Sequence, residues 1–199
     1  GLVLWLTFDE GTGTTTKDYS GNNNNGTLYN GPQWVDGKVG KALSFSSTSQ
    51  SRVDVPIPSM NEYTYVMWIY VRSYVNGSAY SGDGTYFVDR QYPNNPLASL
   101  KAVSDRFAHQ FRNNSGGGLG AVMGDLIQLN TWEFLAWGRK RGEELFIFTN
   151  LIKNKTGDIG EIIPDPPRIG KHNALCGCHD GLIDEVRVYN RALSDAEIK

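Results

Sequence analysis

The sequence predicts an all-β fold in which two antiparallel sheets pack face to face. Three observations carry that expectation. Short apolar or alternating runs recur along the chain, each closed by Gly, Asn, Asp, Ser or Pro. There are 23 glycines and 12% aromatic residues, the turn formers and flat rings that many short strands require. Helical periodicity is nearly absent, so the apolar strand faces must be buried against another sheet.

Taken in order, residues 2–8 form the first predicted strand. Residues 41–45 and 52–55 follow, the latter stopped by Pro56, and 63–71 is a long aromatic strand. Then come 85–91, 98–101, 107–111 and 119–123. Residues 132–139 and 144–149 read as a hairpin turning at Lys140-Arg141-Gly142-Glu143. Residues 159–163 and 168–170 are short strands, and 182–189 is the last. The one helical signal is Ser194-Asp195-Ala196-Glu197, where Ser194 can cap and Glu197 can reach back. At most one short C-terminal helix is therefore expected.

No linker or repeat divides the 199 residues, so 1–199 is read as one domain. That length buries a large core without disulfides. A net charge of −2 and a pI near 5.9 give no basic field for nucleic acid or anionic lipid. No apolar run reaches membrane-spanning length, so membrane insertion is not expected. The stretch Leu2-Val3-Leu4-Trp5-Leu6 lacks the basic flank and cleavage site of a signal peptide and reads as a strand. Both ends read as domain edges, which suggests a module excised from a larger multidomain protein.

Two stretches carry a family likeness. Near the start stand Trp5-Leu6-Thr7-Phe8-Asp9-Glu10-Gly11-Thr12-Gly13 and Asp18-Tyr19-Ser20-Gly21-Asn22-Asn23-Asn24-Asn25-Gly26-Thr27-Leu28. Near the end stands Gly181-Leu182-Ile183-Asp184-Glu185-Val186-Arg187-Val188-Tyr189-Asn190-Arg191-Ala192-Leu193-Ser194. With Gly40-Lys41-Ala42-Leu43-Ser44-Phe45, Val66-Met67-Trp68-Ile69 and Leu145-Phe146-Ile147-Phe148 between them, the chain resembles the laminin-G-like domains of the concanavalin A-like lectin/glucanase superfamily. The resemblance implies a two-sheet antiparallel jelly-roll sandwich. It also implies an extracellular or cell-surface location and a glycan or cell-surface protein as partner.

The resemblance further implies that the first and last strands lie side by side. That would bring Asp9 and Asp184 near the Asn-rich turn. Calcium takes six to eight hard oxygens. The expected ligands of a structural calcium are Asp9 and Asp184 through carboxylates, Asn24 through its amide or carbonyl, and Gly26 through its backbone oxygen. The competing reading is that Asp18, Ser20 and the asparagines only form Asx turns.

His172, Cys176, Cys178 and His179 crowd into one loop. They suit either a transition-metal site or a local Cys176–Cys178 disulfide or thiol pair. Cys-x-Cys is tighter than the usual zinc spacing. Asn-x-Ser/Thr triplets at Asn25, Asn76, Asn113 and Asn154 say nothing of a ligand.

No catalytic residue is expected. The jelly-roll glucanases carry Glu-x-Asp-x-x-Glu on one strand face, and nothing here matches. Asp184 and Glu185 are adjacent and so point to opposite faces. The loop Ser115-Gly116-Gly117-Gly118-Leu119-Gly120 opens no helix and is no phosphate loop. For a ligand face, alternation puts Leu135, Trp137 and Arg139 together, where a ring and a guanidinium could take a sugar. Tyr86 and Arg90 on one strand and His109 on another are further candidates. Trp5, Trp34, Trp68 and Trp132 are assigned to packing.

The expected function is a non-catalytic carbohydrate-binding or adhesion module, stabilised by calcium and joined to further domains. A protein–protein or spacer domain is the alternative, favoured by an exposed apolar patch without a polar groove. A glycosidase or lyase is the third, and would need a carboxylate pair across a cleft.

Overall fold

The computed structural model describes residues 1–76, 85–90, 97–112, 120–158, 160, 167–171 and 177–199, with the backbone alone for 86, 89, 90, 97, 98 and 112. The described residues form sixteen strands and one helical turn. The first six strands are β1 (Leu2–Leu6), β2 (Thr15–Thr16), β3 (Gly26–Tyr29), β4 (Gln33–Asp36), β5 (Lys41–Phe45) and β6 (Arg52–Asp54). Next come β7 (Tyr63–Ser73), β8 (Tyr86–Arg90), β9 (Leu97–Val103), β10 (Arg106–Arg112) and β11 (Gly120–Leu126). The last are β12 (Trp132–Lys140), β13 (Glu144–Thr149), β14 (Ile152–Gly157), β15 (Pro167–Ile169) and β16 (Asp180–Tyr189), followed by α1 (Asp195–Ile198).

Two eight-stranded sheets result. The first runs β14-β13-β12-β7-β16-β5-β4, with β1 also paired to β16; the second runs β11-β10-β9-β8-β15-β6-β3-β2. This is the expected sandwich, and every ladder named here is antiparallel. The predicted hairpin turns where expected, between β12 and β13. The polar strand β14, Ile152-Lys-Asn-Lys-Thr-Gly157, carries no apolar alternation and was not predicted. The predicted strand at 159–163 falls outside the described residues but for Gly160.

The core lies between the sheets. On β7, Met67, Ile69 and Val71 are fully buried, while Trp68, Tyr70 and Arg72 on the other face are half-buried. Leu4, Leu6, Phe45, Leu135, Trp137, Leu145 and Ile147 join that core from the first sheet, and Phe87, Leu100, Phe107 and Phe111 from the second.

The C-terminal segment covers part of the first sheet's outer face. Leu193 and Ile198 pack on Val66, Ala136, Phe146 and Phe148. Glu197 accepts from the Ser194 backbone N–H at 2.9 Å and from its hydroxyl at 2.8 Å, so the expected short helix is capped as read. Arg191 and Lys153 pair with Glu197 and Asp195 and hold the segment down.

Strand β16 is where the first sheet forks. Along one edge it pairs with β7 for its whole length. Along the other, residues Gly181–Ile183 pair with β5 and Val186–Tyr189 pair with β1. The first and last strands are thus side by side, as expected. At the changeover Glu185 adopts a φ of 53° and the register with β7 slips between Asp184 and Arg187. A bulge at this point re-aims side chains and leaves backbone groups without ladder partners.

Candidate functional site

The outer face of the first sheet carries a ladder of partly exposed rings. Phe134 lies opposite Trp68 and Trp132 opposite Tyr70 in the β12–β7 register. Trp68 and Phe134 meet edge to face at 5.5 Å, and Tyr70 and Trp132 at 5.7 Å. The Lys38 ammonium sits 4.5 Å from the Trp68 ring centre, within cation–π range. A groove of about 360 Å³ opens at the Trp68–Phe134 pair of this ladder, lined by Trp68, Phe134, Asn150, Leu151, Ile198 and Lys199. Rings of this kind normally bury themselves, so a row left half-open on a sheet surface is a candidate ligand platform.

This inverts the sequence-based assignment of the tryptophans. Trp137 is 1% exposed and stacks on Tyr65 at 5.0 Å, inside the core. Arg139 is likewise 1% exposed, and its guanidinium forks onto Asp158 at 2.8 and 2.7 Å. It also donates to the Asn61 carbonyl at 2.6 Å. The alternation along β12 is as read, but its Trp137 phase faces inward. Neither residue is available to a ligand, and both expectations are corrected. Trp68 and Trp132, assigned to packing, stand on the open face instead.

His109 is also corrected. It is fully buried, with its ring 3.2 Å from the Tyr63 hydroxyl and 3.3 Å from the Phe146 carbonyl. It joins the two sheets and faces no solvent. Tyr86 and Arg90 lie on β8, with their side chains outside the described set.

Of the four expected calcium ligands, the structure brings two to one place. Asp9 follows β1, Asp184 stands at the fork of β16, and both reach the turn between β4 and β5. Asp9 Oδ1 accepts the Lys41 N–H at 2.7 Å, and Asp184 Oδ2 accepts the Val39 N–H at 2.9 Å. Gly37 and Gly40 make room for them. A Cβ on Gly37 would lie 2.7 Å from Asp184 Oδ2 and 2.6 Å from the Lys41 carbonyl oxygen, and one on Gly40 would lie 2.1 Å from Asp9 Oδ1.

Asp184 is fully buried, and its Oδ1 has no hydrogen-bond partner. Burial, reinforced by neighbouring Glu185, pushes its pKa up to about 6 against the backbone N–H bonds that favour its charge. A buried carboxylate with one unpartnered oxygen, at the same turn as the Asp9 carboxylate, is of the chemistry that a hard cation takes.

Asn24 and Gly26 belong to other surroundings. The Asn24 amide donates to the Val3 carbonyl at 3.0 Å, near the far end of β1 from Asp9. Gly26 is a β3 residue paired with Thr16 in the second sheet. The Asn-rich turn is organised by Asp18. Its carboxylate accepts the N–H groups of Trp5, Ser20 and Asn24 at 2.8–2.9 Å and the Ser20 hydroxyl at 2.8 Å. Burial opposes its charge, but these bonds outweigh it and hold the carboxyl below its ordinary value. This is the Asx-turn reading.

Of the loop cluster, Cys178 and His179 are described and both are buried; His172 and Cys176 lie outside the described residues. His179 packs against Phe45 and Phe87. Burial drops its pKa to about 3, so it is a neutral core residue. Among the described residues no group of three or more His, Cys, Asp or Glu is arranged to hold a metal ion.

Residues 45–199 match a laminin-G model described as the concanavalin A-like lectin/glucanases superfamily. The chain belongs to that superfamily. No curated protein matches the sequence.

Among solved structures, the fold is similar to the binding domain of Paraclostridial Mosquitocidal Protein 1, with a TM-score of 0.78 and 19% identity over 99% of this chain and 50% of that one. It is equally similar to domain 4 of AbnA, a GH43 extracellular arabinanase from Geobacillus stearothermophilus solved with arabinotriose. There the TM-score is 0.78 and the identity 19%, over 99% of this chain and 96% of that domain. The binding domain of botulinum neurotoxin serotype G gives 0.74 and 13%, over 100% of this chain and 50% of that one. The chain thus spans about half the length of the toxin binding domains and nearly all of the arabinanase domain.

Proposed function

We propose that the chain is a non-catalytic carbohydrate-binding module of an extracellular or cell-surface protein, with a structural calcium ion at the fork of β16. The observation that carries the sugar-binding half is the half-open ring ladder of Trp68, Tyr70, Trp132 and Phe134, whose Trp68–Phe134 pair lines a groove. Aromatic faces accept the C–H faces of sugar rings, and polar groups at the margin bond their hydroxyls. The shared fold with an arabinanase domain solved with arabinotriose supports the same reading. So does the shared fold with toxin binding domains, and the arabinanase is extracellular.

Calcium would be held by the Asp9 and Asp184 carboxylates and the Lys41 carbonyl, water completing the shell. Bound there, it would supply the positive charge that Asp184 lacks. It would also pin the β1 end to the β4–β5 turn. Asn24 and Gly26 leave the ligand set because they lie elsewhere, by Val3 at the far end of β1 and in the second sheet. The non-catalytic reading is supported by the same use of carboxylates, since Asp9, Asp18 and Asp184 are all engaged with backbone N–H groups.

Calorimetric titration with a panel of oligosaccharides tests the sugar reading. A binding member should lose at least tenfold in affinity, about 1.4 kcal/mol, in both Trp68→Ala and Trp132→Ala. Unchanged affinity in both removes this face. The exposed side chains of Leu126, Leu129, Leu151 and Ile152 favour a protein-contact module as the second reading, which stands if no glycan binds.

A further inference from the structure

The β13–β14 hairpin turns on two residues, Asn150 and Leu151, with φ of 47° and 73°. This is the left-handed pair of a type I′ turn, whose favoured sequence is Asn-Gly. Leucine is strained there. At 44% exposure its side chain gains little from burial, so core packing does not explain its presence. Strain of this sort concentrates at ligand sites.

Two grooves meet at the turn. The ring-lined groove is on one side. On the other lies a polar groove of about 380 Å³, lined by Arg106, Asp125, Leu126, Gln128, Glu133 and Asn150. Asn150 is the wall common to both. It is fixed in place, since Oδ1 accepts the Phe134 N–H at 3.0 Å and Nδ2 donates to Glu133 at 3.4 Å. In the polar groove Glu133 is buried and accepts the Gln128 N–H at 3.0 Å. Arg106 donates to the Gly124 carbonyl at 3.1 Å. The groove therefore holds two carboxylates, one guanidinium and two side-chain amides. Carboxylates accept hydroxyl protons well and repel anions.

We infer that one neutral oligosaccharide lies across the Asn150–Leu151 turn, one ring against Trp68 and Phe134 and the next hydrogen-bonded in the polar groove, and that the half-buried Asp125 disfavours acidic sugars. This rests on the sugar-binding reading of the ring ladder. It adds the minimum ligand length, the polarity of the second subsite and the charge of the ligand.

The test is calorimetric titration of the full chain with neutral mono- and trisaccharides and with trisaccharides of the same linkage bearing a uronic acid. The neutral trisaccharide should bind at least tenfold more tightly than the monosaccharide and at least tenfold more tightly than its acidic counterpart. Asp125→Ala should remove the gain from length and leave monosaccharide affinity unchanged. Asp125→Asn keeps a hydroxyl acceptor without the charge, and should narrow the gap between neutral and acidic ligands. Unshifted melting shows that both variants are folded. If Trp68→Ala abolishes binding while Asp125→Ala changes nothing, or acidic and neutral ligands bind equally, this inference fails and the ring-ladder reading survives. If no member of the panel binds, both fail.

Discussion

Replacing Asp184 by asparagine should stabilise the metal-free protein and remove most of the stabilisation that calcium gives the wild type. The buried Asp184 carboxyl has its pKa carried from 3.8 up to about 6, burial being the main cause. At 1.36 kcal/mol per tenfold change in the proton equilibrium, ionised Asp184 destabilises the fold by about 3 kcal/mol. The sign follows from proton counts. Below about pH 4 the group is protonated folded and unfolded, and there is no penalty. Between about pH 4 and 6 the unfolded chain releases its proton first, so stability falls as pH rises. Above pH 6 the full penalty is present.

Asparagine keeps an acceptor for the Val39 N–H and removes the charge. In a chain of this length 1 kcal/mol moves the melting point by about 2–4 °C. In chelator at pH 7.5, Asp184→Asn should therefore melt several degrees above the wild type, with about 10 °C as the ceiling. At pH 4 the two should melt together. Calcium at 100 times its Kd would stabilise the wild type by about 2.7 kcal/mol, and should do little for a variant lacking the main carboxylate ligand. The gap between the two melting curves in chelator should thus nearly close in calcium. Differential scanning calorimetry reads all four states. A wild type that melts identically in calcium and chelator refutes the metal centre. A wild type in chelator with no loss of stability from pH 4 to 7 refutes the buried-charge argument beneath it.

Other consequences are simpler. Trp137→Ala should cost about 3–5 kcal/mol in denaturant unfolding, because it empties a core position, with glycan affinity per folded molecule unchanged. Arg139→Ala should cost about 3–5 kcal/mol in the same assay, since it removes the buried counter-charge of Asp158, whose side chain is only 6% exposed. Leu151→Gly relieves a left-handed leucine and should raise stability by about 1 kcal/mol, while weakening any ligand that crosses the turn. Asp18 carries the opposite sign from Asp184. Its lowered pKa gives stability that is present above about pH 4 and lost as pH falls below it, so Asp18→Asn should lose stability at pH 7 and show a flatter acid limb.

Much of the architecture was legible because it depends on local rules. Apolar and aromatic runs marked β7, β12, β13 and β16, the four-residue turn at 140–143 closed a hairpin, and Ser194 with Glu197 announced a single helical turn. Strand β14 escaped because Ile152-Lys-Asn-Lys-Thr-Gly157 is polar on both faces. It is a strand only because β13 offers it a free edge. The Asp9–Asp184 encounter followed from the pairing of the first and last strands. The partner turn at 37–41 did not, because the need for Gly37 and Gly40 arises from carboxylates brought in from elsewhere.

The misplaced tryptophans show where alternation stops informing. A period of two sorts residues into faces and leaves open which face is wet. On β7 the question has an internal answer: Met67, Ile69 and Val71 share a phase that is purely apolar, while Trp68 and Tyr70 share theirs with Arg72. On β12 the charged residues mislead, because Glu133, Leu135, Trp137 and Arg139 form the inward phase. The two charges are accommodated at the strand ends, Arg139 by Asp158 and Glu133 by Gln128 and Asn150. Cross-strand register decides between the phases. Once Phe134 is opposite Trp68, the outward phase of β7 must be the outward phase of β12. The ring ladder is thus a property of two strands together, and only the pairing of β7 with β12 reveals it.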